Sequence, residues 1–167
     1  MLDKSKLILD NVKYMIDVKQ ISMADALYQG ERELRNEVLL RPIGMPDFGW
    51  EMNDRESLHF VAVKGTAVIG CVLLHLEEGG ESARLMQMAV DSNFQKKGIG
   101  KKLVDLLIAT AQSRGLKEIT CHARGNAAEF YSKMDFEFYD EPFYEVGMKH
   151  FHMKYKLEKR SKLSSEK

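Results

Sequence analysis

The residues with the clearest chemical potential stand together in Gln95-Lys96-Lys97-Gly98-Ile99-Gly100-Lys101-Lys102-Leu103. Two glycines let backbone amides approach a ligand with no Cβ in the way. A helix starting there offers unpaired N–H groups at the positive end of its dipole. Phosphate is the natural occupant of such a turn. No Ser, Thr, Asp or Asn precedes Gly98 to cap the helix, so its first amides need another acceptor, which a bound pyrophosphate would supply. At exposed positions Lys96, Lys97, Lys101 and Lys102 each add on the order of 0.3 to 1 kcal/mol toward an anion, less at physiological salt. A Walker A loop needs Gly-Lys-Ser/Thr, whereas Gly100 is followed by Lys101-Lys102; the dinucleotide fingerprint needs a third glycine where Leu103 stands. On these residues alone, a tight turn with a solvated lysine face stays open beside the anion cradle.

The turn falls where the hydrophobic period changes. Val12, Tyr14, Ile16 and Val18 alternate with Lys13, Met15, Asp17 and Lys19, which predicts a first strand ending near Gln20. Ser22 is placed to cap a helix carrying Leu27, Leu34 and Val38, and Pro42 stops it; residues 41–57 read as loop. Apolar runs at 59–63 and 67–76, joined by Lys64-Gly65-Thr66, predict a hairpin, and a run at 82–90 completes an antiparallel meander. Ile99, Leu103, Leu106, Leu107 and Ala111 then follow a 3.6-residue repeat up to Gly115. A strand at 118–123 makes this a strand, helix, strand crossover. Asn126 is a candidate cap for a short helix carrying Ala127, Phe130, Tyr131 and Met134, after which 136–139 re-enters the sheet. Phe151, Met153, Tyr155 and Leu157 alternate with His152, Lys154 and Lys156 in the last strand.

The 167 residues read as one domain over 1–157 and a polar tail at 158–167. Lys+Arg and Asp+Glu are both 25, and this balance gives no general attraction to nucleic acid or to a membrane surface. The apolar runs are strand-sized, far short of the ~20 residues of a membrane span, and charges interrupt the N-terminal stretch where a signal-peptide core would lie. Cytoplasm is the expected compartment. Cys71 and Cys121 form neither a disulfide framework nor a zinc spacing.

Gln95-x-x-Gly98-x-Gly100, preceded by Met88-Ala89-Val90 and followed by Asn126 and Phe130-Tyr131, resembles the GNAT superfamily of N-acetyltransferases over about residues 60–136. Arg41-Pro42-Ile43-Gly44, Asp54, His59 and Glu145-x-Gly147-x-x-His150 look like a small acyltransferase subgroup of it. The resemblance implies an α+β fold: a mixed, mostly antiparallel twisted sheet with flanking helices and a splayed central strand pair, acetyl-CoA lying in the gap as co-substrate. It implies that backbone groups at Met88 and Val90 pair with pantetheine, that Ala89 between them belongs to the cofactor site, and that Gln95, Lys96, Lys97, Gly98, Ile99, Gly100 and Lys101 cradle the pyrophosphate. Asn126 and Phe130 match cofactor contacts, and Tyr131 matches the acid that protonates the leaving thiolate. Glu145 and His150 both match the subgroup as candidates for the base; Glu145 is the expected catalytic one, His59 and His150 are placed toward the acceptor, and the identity of the base stays open. Two departures stand out: Asp135 replaces the glycine usual before Phe136, and Lys149 stands where the subgroup often has proline.

The expected reaction is transfer of acetyl from acetyl-CoA to a primary amine, on a small molecule or peptide, by direct attack in a ternary complex. One base and one acid contribute ~10² to 10⁴ each, the rest coming from positioning and from a backbone amide at Met88 or its neighbour polarising the carbonyl. Without the resemblance, Tyr131 reads as a core tyrosine, Glu145 as a solvated carboxylate and His150 as a surface histidine. Phe48-Gly49-Trp50 is a glycine loop that could fold over an acceptor, with packing the expected role of Trp50. Cys71 and Cys121 read as small buried hydrophobes rather than acyl carriers. A polycationic partner is not indicated; Glu77, Glu78 and Glu81 would favour a cationic acceptor if they border the cleft. The rival class is a non-catalytic acyl-CoA-binding sensor or assembly module. A nucleotide- or nucleic-acid-binding module rests on the lysines alone and lacks an aromatic stacking platform. No metal site is expected, and a homodimer paired through an edge strand at 151–157 is permitted.

Overall fold

The computed structural model describes residues 3–6 and 15–157. Among them, β1 (Ile16–Ile21), β2 (Ser57–Lys64), β3 (Ala67–Leu76), β4 (Ser82–Val90), β5 (Glu118–Arg124), β6 (Glu137–Glu145) and β7 (Met148–Lys156) form one sheet in the order β1-β2-β3-β4-β5-β7-β6. All neighbours are antiparallel except β4 and β5, which are parallel because a helix joins them. That crossover helix, α2 (Ile99–Ser113), and the short α3 (Ala128–Lys133) lie on one face of the sheet. On the other face α1 (Tyr28–Arg35) packs over β3 and reaches β4.

Strand parity divides the core. Phe60 and Ala62 of β2 join Leu103, Leu107, Ile119 and Cys121 beneath α2, while Val61 and Val63 join Leu34, Cys71 and Ala89 beneath α1. Gly70 lets α2 sit close: a Cβ there would lie 3.1 Å from both Ile99 Cγ2 and Leu103 Cδ1. α1 covers only part of its face. The half carrying His122 of β5 and His150 of β7 is left uncovered by α1 and forms a wall of a cleft.

Several boundaries differ from the sequence expectation. The first strand runs over Ile16–Ile21; Val12 and Tyr14 lie outside the described residues. Ser22 does not cap α1, which begins after Leu27; its Oγ accepts from the Ala24 amide and closes a local turn. Pro42 does end the helical run, but in steps: a π turn over Asn36–Leu40, then a 3₁₀ turn over Arg41–Ile43 closed by Gly44. Asn126 is not a helix cap either; Ala127 holds that position with no side-chain bond. The last strand is not an edge. β7 lies between β5 and β6, so the edges are β1 and β6, and pairing of subunits through 151–157 is closed off. Asp135 adopts φ +68°, the left-handed conformation that the missing glycine would take without strain.

Candidate active site

β4 and β5 are paired only from Ser82↔Glu118 to Leu85↔Cys121. Beyond that point residues 86–90 and 122–124 separate, so the inner edge of β4 has no ladder partner on that side. A bulge marks the same place. Leu73 pairs with Met86 and Cys71 with Ala89, so Gln87 and Met88 together stand opposite Val72. Gln87 has φ +52°, uncommon for a residue with a Cβ.

A cleft of about 740 Å³ opens at the gap. Its floor is Leu85, Met86, Gln87 and Met88 of β4; one wall is Val38, Leu39, Met45, Trp50 and Met52; the other is His122, Arg124, Asn126, Tyr131, Glu145 and His150. Tyr131 is held there by α3 and is 5 % exposed, its ring packed edge-on to Phe130 and Phe136. Burial, with a smaller effect of Cys121, pushes its phenol far above the ordinary range, so it keeps its proton at any working pH. Glu145 reaches the cleft from the end of β6, its Oε2 3.8 Å from His150 Nε2 and 4.0 Å from His122 Nδ1. Burial, then Arg84, holds His122 below its ordinary value, so the ring is neutral at neutral pH. His150 is buried rather than at the surface; its Nδ1 lies 2.9 Å from the Met148 carbonyl and its Nε2 faces Glu145.

The glycine turn folds as its residues require. Gly98 takes φ +81° and serves as the N-cap of α2, whose first amides receive no side-chain cap. No atom lies within 4 Å of a Cβ built at Gly98, and Lys96, Lys97 and Gly98 are all exposed. Gly100 faces the Phe130 ring, 3.4 Å from where its Cβ would be. An uncapped, exposed helix start beside an open strand edge fits a phosphate-bearing chain laid along β4.

The expected site residues separate into groups. Met88, Gln95, Asn126, Tyr131, Glu145 and His150 all line the cleft. Ala89 and Ile99 turn their side chains into the core, leaving only backbone to offer a ligand. Val90 pairs with Gly70 and its carbonyl accepts from Gln95 Nε2 at 3.2 Å. Lys97 lies over the Phe94 ring, and Lys101 is paired with Asp105 at 2.8 Å. Phe130 is not in the cleft; it braces Gly100 from behind. His59 is a correction: it is 2 % exposed on the α1 face, its Nδ1 2.9 Å from Glu31 and its Nε2 2.9 Å from the Asp54 carbonyl, away from any acceptor. Glu77, Glu78 and Glu81 do not border the cleft, where Glu145 is the carboxylate. Cys71 and Cys121 are buried free thiols pushed up by burial, Cys121 to about 12, which unfits both as acyl carriers.

Sequence reading missed His122, Gln87 and Arg84, all of which line the cleft. Only the alternation of β5 hinted at His122. Nothing local marked Gln87 as the bulge.

The family comparison agrees with this geometry. The sequence model of the acetyltransferase (GNAT) domain matches residues 35–157, and the chain belongs to that family, whose chemistry is acyl transfer. A Bacillus subtilis (strain 168) protein described as a candidate acetyltransferase is 24% identical over 140 residues, 81% of this chain and 92% of that one. An acyl-CoA N-acyltransferase from Pseudomonas aeruginosa superposes with a TM-score of 0.74 at 17% identity, covering 84% of this chain and 99% of that one. A GNAT acetyltransferase from Elizabethkingia anophelis with acetyl-CoA bound gives 0.67 at 18% identity, covering 85% and 98%. No helix among the described residues is long and apolar enough to cross a membrane.

Proposed function

We propose that this chain transfers the acetyl group of acetyl-CoA to a primary amine by direct attack in a ternary complex. One observation carries the reading: β4 and β5 part beside an uncapped helix start, and a buried phenol and a carboxylate flanked by imidazoles share the resulting cleft. The α2 amides and the turn lysines bind pyrophosphate, while the free edge of β4 pairs with pantetheine. A backbone amide at the bulge, that of Met88 or its neighbour, faces the carbonyl oxygen as negative charge builds on it.

Glu145, with His122 and His150 beside it, takes the proton from the ammonium that approaches the carbonyl. Tyr131 gives its proton to the sulfur that leaves. Trp50, Met45 and Met52 give the opposite wall an apolar lining for the body of the amine.

A panel of primary amines with acetyl-CoA, thiol release being followed, tests the assignment. The expected result is turnover with at least one amine and its loss in Tyr131→Phe with acetyl-CoA binding kept. Binding of acetyl-CoA with no turnover across the panel would favour the non-catalytic acyl-CoA module instead.

A further inference from the structure

Beneath α1, outside the cleft, four ionisable side chains are buried together: Glu31 is 0 % exposed and Arg35, Asp54 and His59 are each 2 %. Arg35 is the hub. Its Nη1 and Nη2 donate to Asp54 Oδ2 and Oδ1 at 2.9 and 3.0 Å, and Nη1 lies 3.3 Å from Glu31 Oε2. Glu31 also holds His59, and Tyr28 donates to Asp54 at 2.5 Å. The cation between the two carboxylates is Arg35 itself.

Two contacts lead from this cluster to the cleft. Arg35 Nε donates to Gln87 Oε1 at 2.8 Å, and Arg35 Nη2 donates to the Trp50 carbonyl at 2.9 Å. Gln87 Nε2 donates to the same carbonyl at 2.9 Å, closing a ring of Arg35, Gln87 and Trp50. The Gln87 carbonyl meets Cys71 Sγ at 3.6 Å. Gln87 is therefore tied at both ends of its side-chain amide and at its backbone, at the one position of β4 with a positive φ.

We propose that Arg35 and Gln87 are positioning residues: the buried charges act through the Gln87 side chain to hold the β4 bulge in the shape that presents its amide to the acyl carbonyl, and through Trp50 they fix the acceptor wall to the same frame. The inference rests on the acetyl-CoA reading above. Apolar side chains would fill the space under α1 with no desolvation penalty, so four buried ionisable groups call for a role beyond stability. A strained backbone persists only where its surroundings over-determine it, and here those surroundings are the Arg35 fork. Arg35 does not line the cleft, so it acts on the reaction only through Gln87 and Trp50.

The test is isotope-edited infrared spectroscopy of acetyl-CoA carrying ¹³C at the thioester carbonyl, bound to wild type, Gln87→Met and Arg35→Lys, with calorimetric affinities and melting temperatures alongside. In wild type the bound carbonyl band lies below its position in free acetyl-CoA, as a hydrogen bond to the bulge amide requires. In both variants it moves back toward the free position while the Kd for acetyl-CoA stays within about threefold, and kcat with any amine that turns over falls by about tenfold or more. Gln87→Met keeps side-chain volume at a half-buried position and carries the test if Arg35→Lys does not fold. A shifted band in wild type that is unchanged in a folded Gln87→Met, or no shift in wild type that binds, overturns the inference. Failure of wild type to bind acetyl-CoA overturns the functional reading beneath it, and that outcome is distinct from both.

Discussion

For single residues, the proposed chemistry turns on protonation. On the proposed reading Tyr131 donates to the leaving thiolate; burial raises its phenol further above the ordinary value, so it stays protonated at any working pH, and removing the hydroxyl leaves packing against Phe130 and Phe136 intact. Tyr131→Phe should lower kcat by about 10² or more with little change in acetyl-CoA affinity or melting temperature, read by steady-state kinetics and calorimetry. Glu145→Gln should lower kcat by about tenfold to a hundredfold, the neighbouring His122 ring, its pKa held below the ordinary value by burial, leaving a residual rate. Cys121→Ser and Cys71→Ala should keep turnover, and alkylating reagents should modify neither thiol in the folded protein, as mass spectrometry would show. Part of the placement was legible in the sequence: Tyr131 and Glu145, which the resemblance singles out, both line the cleft. His59 was not, because β-strand parity places it with Val61 and Val63 on the α1 face, and parity is known only once the register is known.

At the scale of elements, the site is a place where two regular structures stop. β4 and β5 part after Leu85↔Cys121, and α2 begins without a cap. The sequence showed both ends of that crossover, since the change of period and the glycines are local signals. The bulge at Gln87 and the edge positions of β1 and β6 were not visible, because both depend on which strands pair at long range. With several lysines around the turn, acetyl-CoA affinity should fall as ionic strength rises from 0.05 to 0.5 M, whereas a purely apolar contact would not weaken; titrations across that series check it.

At the scale of the whole molecule, the buried cluster under α1 joins stability to pH. Burial works against a charged His59, but hydrogen bonds and the negative charge of Glu31, with Asp54, raise its folded pKa above the ordinary 6.5. The stabilisation is therefore fully present below pH 6.5 and is lost as pH rises through the folded pKa. Urea unfolding at several pH values should show this decline in wild type and not in His59→Asn, with Glu31, Arg35, Asp54 and Tyr28 unchanged around it. Replacing Arg35 with Met should cost about 3 to 5 kcal/mol by leaving Glu31 and Asp54 buried without their cation. On the proposed reading, the uncapped start of α2 and the open edge of β4 hold acetyl-CoA. Calorimetric titration of wild type, Gly98→Ala and Gly98→Glu tests it most directly, the alanine variant controlling for the strain of a Cβ at φ +81°. Saturable binding by wild type and Gly98→Ala, and its loss in a folded Gly98→Glu, is the predicted result. Undisturbed binding by Gly98→Glu, or none by folded wild type at millimolar acetyl-CoA, would contradict the account.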